Sequence, residues 1–279
     1  MKVVIENGWV GEIPVLCVAP ADAMKRPLIF YIPGHGSNKE SSLSIAYQLA
    51  QQGFFVVSFD AWMHGERFDE RIFRAAEPEF GGVYPPETGL DVGAVFYQVI
   101  ARCLDDVHTL LDYFAGDPRA DVANCGVTGH SMGAYASFLV FAKLPQIKAA
   151  VPMMGVPSFD RRWQDILDEC AYSNAAWAEA MAAQAKVTQR HSDFVRSLDP
   201  YPLLAAAAPR ALLMMNGDFD CDQPKSYSIY AYRELKSAWA GASDKLKLNI
   251  YPVGHTVTSE MERDLSAWFA VHVERKNPA

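Results

Sequence analysis

The stretch Cys125-Gly-Val-Thr-Gly-His-Ser-Met-Gly-Ala134 decides how this chain is read. Cys125–Thr128 is small and apolar enough for a buried strand, and Ser131–Lys143 is a helix-forming run. Between them Gly129-His130-Ser131-Met132-Gly133 matches G-x-S-x-G. The five-residue pattern alone is only moderately specific; its position between a strand and a helix gives it meaning. The glycines allow a sharp turn, because side chains there would strike the neighbouring strand and helix. Such an elbow lifts the Ser131 hydroxyl out of the sheet and aims the Met132 N–H at the same space. A serine hydroxyl is a weak nucleophile at neutral pH, so a base must follow.

On either side of this segment strands and helices alternate. The expected strands are a hairpin of Lys2–Ile5 and Ile13–Val18 around Asn7-Gly8, then Leu28–Ile32, Phe54–Phe59, Cys125–Thr128, Lys148–Met154, Ala211–Met215 and Lys245–Tyr251. Helices are expected at about Lys39–Gln52, Asp91–Ala115, Ser131–Lys143, Lys225–Ala240 and Thr258–Val273. In the first, Leu43, Ala46, Tyr47 and Ala50 would share a face, with Asn38 as its cap. The pattern predicts an α/β fold, a mostly parallel eight-stranded sheet flanked by helices. Residues 157–200 are helical, aromatic-rich and interrupt the alternation. They are read as a cap insertion between a core of 1–156 and its continuation at 201–279.

In this arrangement the chain order is serine, acid, histidine. His255, in Tyr251-Pro-Val-Gly-His255-Thr after the last strand, is the histidine that fits. The acid should follow Ala211–Met215, where Asp218, Asp220 and Asp222 compete. Asp220 is favoured by its G-x-x-D-x-x-x-P frame, Asp218 is the runner-up, and Asp222 suits a cap of the next helix. Pro33-Gly34-His35-Gly36-Ser37 follows the strand Leu28–Ile32, and such a turn can offer a second backbone N–H to an oxyanion. That donor is assigned to Ser37, with Gly36 next, beside Met132. His35, Trp62, His130, Trp163 and Trp177 are candidates for the substrate pocket, within a wider set that includes Phe68, Phe73, Phe159 and Tyr172.

Together these residues resemble the α/β-hydrolase superfamily. More narrowly, they are similar to small cytosolic bacterial carboxylesterases related to dienelactone hydrolase and to the catalytic domain of prolyl oligopeptidase. The resemblance runs from about Leu28 to Phe269. It rests on Tyr31-Ile-Pro-Gly-His-Gly-Ser-Asn-Lys-Glu40, on Gly53–Asp60 with Met63-His-Gly-Glu-Arg-Phe68, on Gly217-Asp-Phe-Asp220 and on Gly254-His255. It implies the α/β-hydrolase fold and ester hydrolysis through an acyl-enzyme on Ser131 without a cofactor; the cap at 157–200 matches least. A short-peptide peptidase or a thioesterase could use the same residues. An inert, hydrolase-like binding protein would normally lack one of them.

Composition narrows the field. The chain has 279 residues, half of them hydrophobic and 21% charged, with a net charge of -8. That charge disfavours a nucleic-acid partner and fits small neutral substrates without selecting among them; the small-molecule ester substrate is what the resemblance implies. No apolar run is long enough for a membrane span. The five cysteines are odd in number and widely spaced, which suggests reduced thiols in the cytoplasm. No H-E-x-x-H or Walker-type motif is present, so no metal is expected. The oligomeric state stays open, with a homodimer as one option.

Overall fold

The computed structural model describes residues 1–69, 90–173, 175, 178–179, 182 and 185–273. The strands are β1 (Val3–Val10), β2 (Ile13–Pro20), β3 (Arg26–Ile32), β4 (Phe55–Phe59), β5 (Ala120–His130), β6 (Ile147–Met153), β7 (Ala211–Gly217) and β8 (Leu246–Tyr251). The helices are α1 (Leu43–Gln51), α2 (Leu90–Phe114), α3 (Met132–Lys143), α4 (Phe159–Ser173), α5 (Ala185–Leu198), α6 (Tyr201–Leu204), α7 (Ser226–Leu235) and α8 (Ser259–His272). The eight strands form one sheet in the order β1-β2-β4-β3-β5-β6-β7-β8. β1 and β2 are antiparallel to their neighbours, and the pairs from β4 through β8 are parallel.

Alternate residues of the central strands feed two cores. Leu28, Phe30 and Ile32 of β3 join Val57 and Phe59 of β4 and the apolar faces of α2 and α3. Ile29 and Tyr31 turn the other way, toward Ile45 and Leu49 of α1 and Met261, Leu265 and Phe269 of α8. Both faces are covered, so β3 is apolar throughout its buried length rather than alternating. β3 lies between β4 and β5. The chain leaves β3 toward β4 but leaves β5 toward β6, so the loops after β3 and β5 diverge. The crevice at such a switch point is where open α/β sheets bind ligands.

Two local expectations are corrected. The hairpin turn lies at Gly11-Glu12, with Val10 opposite Ile13 and Gly11 at φ 58°. Asn7 and Gly8 sit within β1 instead, opposite Leu16 and Val15, because pairing continues to the apolar Val10. In α1 the buried residues are Ile45, Ala46, Leu49 and Ala50, while Leu43 and Tyr47 are exposed. The buried stripe sets Ile45 and Leu49, two aliphatic side chains one turn apart, toward the sheet and leaves Tyr47 on the solvent side; a 3-10 turn at Lys39–Ser42 precedes the helix. Asn38 makes no side-chain cap there. The Lys39 N–H instead donates to Asp60 Oδ1 at 2.7 Å.

Asp60 ends the apolar run of β4 and is fully buried. Its carboxylate also accepts from the Glu66 N–H at 2.9 Å and from Lys39 Nζ at 3.3 Å. One buried charge therefore ties the segment after β3 to the loop after β4. Asp60→Ala strands the Lys39 and Glu66 N–H groups, while Lys39 Nζ keeps Glu40 and Glu66, and is expected to lower unfolding free energy by about 2–4 kcal/mol, measured by urea denaturation.

Candidate active site

The elbow is a close contact between two backbones. A Cβ on Gly133 would lie 1.9 Å from the Ile32 carbonyl oxygen, and one on Gly129 would lie 2.5 Å from the same oxygen. Only glycine at both positions lets the end of β3 touch the start of α3. Ser131, between them, holds φ 57° and ψ -118°, a strained conformation for a residue with a side chain. Its N–H is anchored to the Met153 carbonyl at 2.9 Å. Met132 opens α3, where helical N–H groups have no partner within the helix.

The acid and base turns meet beside this elbow. His255 Nδ1 lies 2.8 Å from Asp220 Oδ2. The other carboxylate oxygen, Oδ1, accepts the N–H groups of Asp222 at 3.0 Å and Gln223 at 2.9 Å. Asp220 is completely buried, so its charge is satisfied by these donors rather than by water. The carboxylate can only accept, so Nδ1 carries the proton and Nε2 is left as an acceptor. Asp218, by contrast, pairs with Lys225 in solvent. The His255 ring stacks on His130 with centroids 4.8 Å apart, next to Ser131. Among the described residues, one group has metal-ligand proximity, Asp220, Asp222 and His255. Both oxygens of Asp220 already accept hydrogen bonds, from His255, Asp222 and Gln223.

Two clefts share Ser37. One, of about 230 Å³, is lined by His130 and His255 with Ser41, Ser44, Thr256 and Glu262. The other, of about 330 Å³, is apolar, with Met63, Phe68, Val95, Phe96 and Val99 around His35 and His64. His64 Nδ1 is 2.9 Å from the Trp62 carbonyl, so it is protonated at that nitrogen. His35 meets His64 edge to face at 5.2 Å, and burial, then His64, holds its pKa below the ordinary value.

Residues 13–198 match the Dienelactone hydrolase family. This chain belongs to that family. It is 27% identical to the Bacillus subtilis (strain 168) protein named "Putative esterase YitV", over 87% of this chain and 88% of that one. Its fold is similar to that of TT1662 from Thermus thermophilus, with a TM-score of 0.69 and 17% identity, covering 99% of this chain and 100% of the other. It also resembles Acetyl Xylan Esterase 1 from Thermoanaerobacterium sp. JW/SL YS485, with a TM-score of 0.63 and 19% identity, over 97% and 87% of the two chains.

Within this family member, Asp220 and His255 are brought together and Asp218 and Asp222 are left outside that contact. Ser37 lines both clefts, but its N–H donates to the Gly34 carbonyl at 3.1 Å, so it is not a free donor. His35 lines the apolar cleft and His130 the other. Trp163 does not. It is fully buried, with its indole N–H on Ser192 Oγ at 3.0 Å, and helps bind α4 to α5. Trp62 lies under the Arg102 guanidinium, 4.2 Å from its ring centroid, and lines neither cleft. Phe159 is also core, and Tyr172 is exposed. Trp177 and Phe73 lie outside the described residues. The residues that sequence reasoning missed are Val95, Phe96 and Val99 on α2, whose apolar face gives no sign of which residues meet a cleft and which meet the core. Asp60 was detectable as a lone acid ending an apolar strand, the position where α/β folds place functional groups.

His130 supplies a pH signature. Burial, and secondarily the neighbouring His255, pushes its pKa from 6.5 down to about 4. The folded value lies below the unfolded one, so the unfolded chain takes up the proton first as pH falls. Stability is therefore full above about pH 6.5 and declines toward pH 4. Denaturation of the wild type and His130→Gln across this window is expected to show the wild type losing roughly 2–3 kcal/mol more.

Proposed function

We propose that this ester-bond hydrolase works through an acyl-enzyme on Ser131, with His255 as general base and acid and Asp220 as the residue that orients it. The observation that carries this is the 2.8 Å contact of a buried Asp220 with His255, beside a serine held in a strained elbow. His255 Nε2 takes the Ser131 proton as the oxygen attacks the ester carbonyl. The Met132 N–H, at the positive end of α3, stabilises the developing oxyanion. The second donor comes from the Gly34–Ser37 turn, where Ser37 shares its N–H with the Gly34 carbonyl or Gly36 supplies its own. His255 then protonates the leaving alcohol and activates water to release the acid.

Because the leaving oxygen must meet His255, the alcohol belongs in the cleft of about 230 Å³ that His255 lines. The acyl group then takes the apolar cleft of about 330 Å³, which is at the small end of ligand pockets. A short apolar acyl chain on a small, soluble ester fits this best. The name of the similar acetyl xylan esterase points the same way. The net charge of -8 supports small-molecule substrates over nucleic acid, and the five free cysteines support a cytoplasmic setting. Among the described residues, no helix is long and apolar enough to cross a membrane.

A fluorophosphonate probe is expected to label the wild type at Ser131. Ser131→Ala is expected to abolish labelling and reduce ester turnover by about three decades or more. Nitrophenyl esters of increasing acyl length should be cleaved progressively more slowly once the chain outgrows the apolar cleft. Equal rates at all lengths would refute the acyl assignment, and preference for thioesters or short peptides would redirect the substrate class.

A further inference from the structure

We propose that Tyr135 is a positioning residue, holding the acid turn in register through Gln223. The proposal rests on the triad reading above and adds a residue to it. Tyr135 stands one helical turn after Ser131 on α3, and its N–H donates to the Ser131 carbonyl at 3.2 Å. Its ring is 2% exposed and is wedged edge-on against Phe96 and Tyr97. Burial raises its pKa far above the usual phenol range, so the hydroxyl stays protonated and donates. The acceptor is Gln223 Oε1 at 2.6 Å.

Gln223 is held at both ends. Its side chain receives Tyr135, and its backbone N–H donates to Asp220 Oδ1 at 2.9 Å. That bond and the Asp222 N–H on the same oxygen set the plane of the carboxylate. With Oδ1 pinned, Oδ2 faces His255 Nδ1 at 2.8 Å. A continuous path thus runs from the helix that opens beside Ser131 to the acid that orients its base. Neither Tyr135 nor Gln223 lines either of the two clefts. The phenol also lies beside the Arg162 guanidinium of α4, which in turn approaches Tyr227, and Tyr227 donates to Asp165 at 2.5 Å. The ring and its neighbours are thereby fixed in one place, so the hydroxyl works as a stop for Gln223.

A tyrosine present merely to fill the core would tolerate loss of its oxygen with activity unchanged. Tyr135→Phe keeps the ring and removes the hydroxyl. We expect kcat on a nitrophenyl ester to fall about tenfold with KM unchanged, and the rate of fluorophosphonate labelling to fall in step. Gln223→Ala, in a partly exposed turn that tolerates truncation, should reproduce the loss. The double variant should be no slower than the worse single variant, because both substitutions cut one path. Wild-type kcat in Tyr135→Phe, a change confined to KM, or losses that multiply in the double variant would each overturn the proposal. A wild type that neither reacts with the probe nor cleaves any ester would overturn the triad reading itself, a distinct result.

Discussion

The contact of the Gly133 and Gly129 backbones with the carbonyl of Ile32 is the constraint on which the site depends. An atom as small as a methyl carbon at residue 133 would sit 1.9 Å from that oxygen. Without side chains there, the end of β3 and the start of α3 come together at the point where the sheet reverses its winding. The same contact brings the Gly34–Ser37 turn against the elbow, since a Cβ on Gly34 would lie 3.6 Å from that of Ser131. Two loops that leave the sheet in opposite directions are thus fixed at one spot. The strain at Ser131 is sustained by this packing and by the anchoring of its N–H on β6.

Buried charge is handled consistently around that spot. Asp60 and Asp220 each end or follow a strand, each is fully withdrawn from water, and each is surrounded by backbone N–H groups plus one basic side chain. Asp60 binds the loops that form the apolar cleft, and Asp220 binds the turn that presents histidine. A desolvated carboxylate is costly unless every acceptor site is filled. That cost makes both loops rigid in one arrangement, since any alternative would strand the charge.

Much of this was legible from residues alone. The buried strands read as unbroken apolar runs, and their order with the intervening helices led to the eight-stranded sheet. The elbow, His255 and the preference for Asp220 over Asp218 followed from turn chemistry and chain order, and the geometry gives Asp220 the contact. What was not legible depended on three-dimensional phase. The face of α1 was misread because Leu43-Ala46-Tyr47-Ala50 and Ile45-Ala46-Leu49-Ala50 are both apolar stripes of one short helix, and spacing alone does not say which one meets the sheet. Trp163 looked like a pocket residue because an aromatic in a helix has the same spelling whether it meets a cleft or another helix. Ser37 was plausible as an oxyanion donor, yet its N–H is drawn into a turn by Gly34, a competition only coordinates reveal. Tyr135 reads as one more apolar-face residue of α3 until its hydroxyl is seen to reach the acid turn.

The proposed division of labour between the clefts has a further consequence. Apart from His35, Gly36 and Ser37 of the turn after β3, the apolar cleft is lined by the 61–68 loop and α2, and none of those residues belongs to the elbow, the acid turn or the histidine turn. Phe68, Val95, Phe96 and Val99 can therefore drift in size and shape without altering the reacting groups. Asp60 keeps the loop's path constant while they do so. Substitutions on that wall reshape one side of the cleft and leave the Asp220–His255 contact and the elbow as they are.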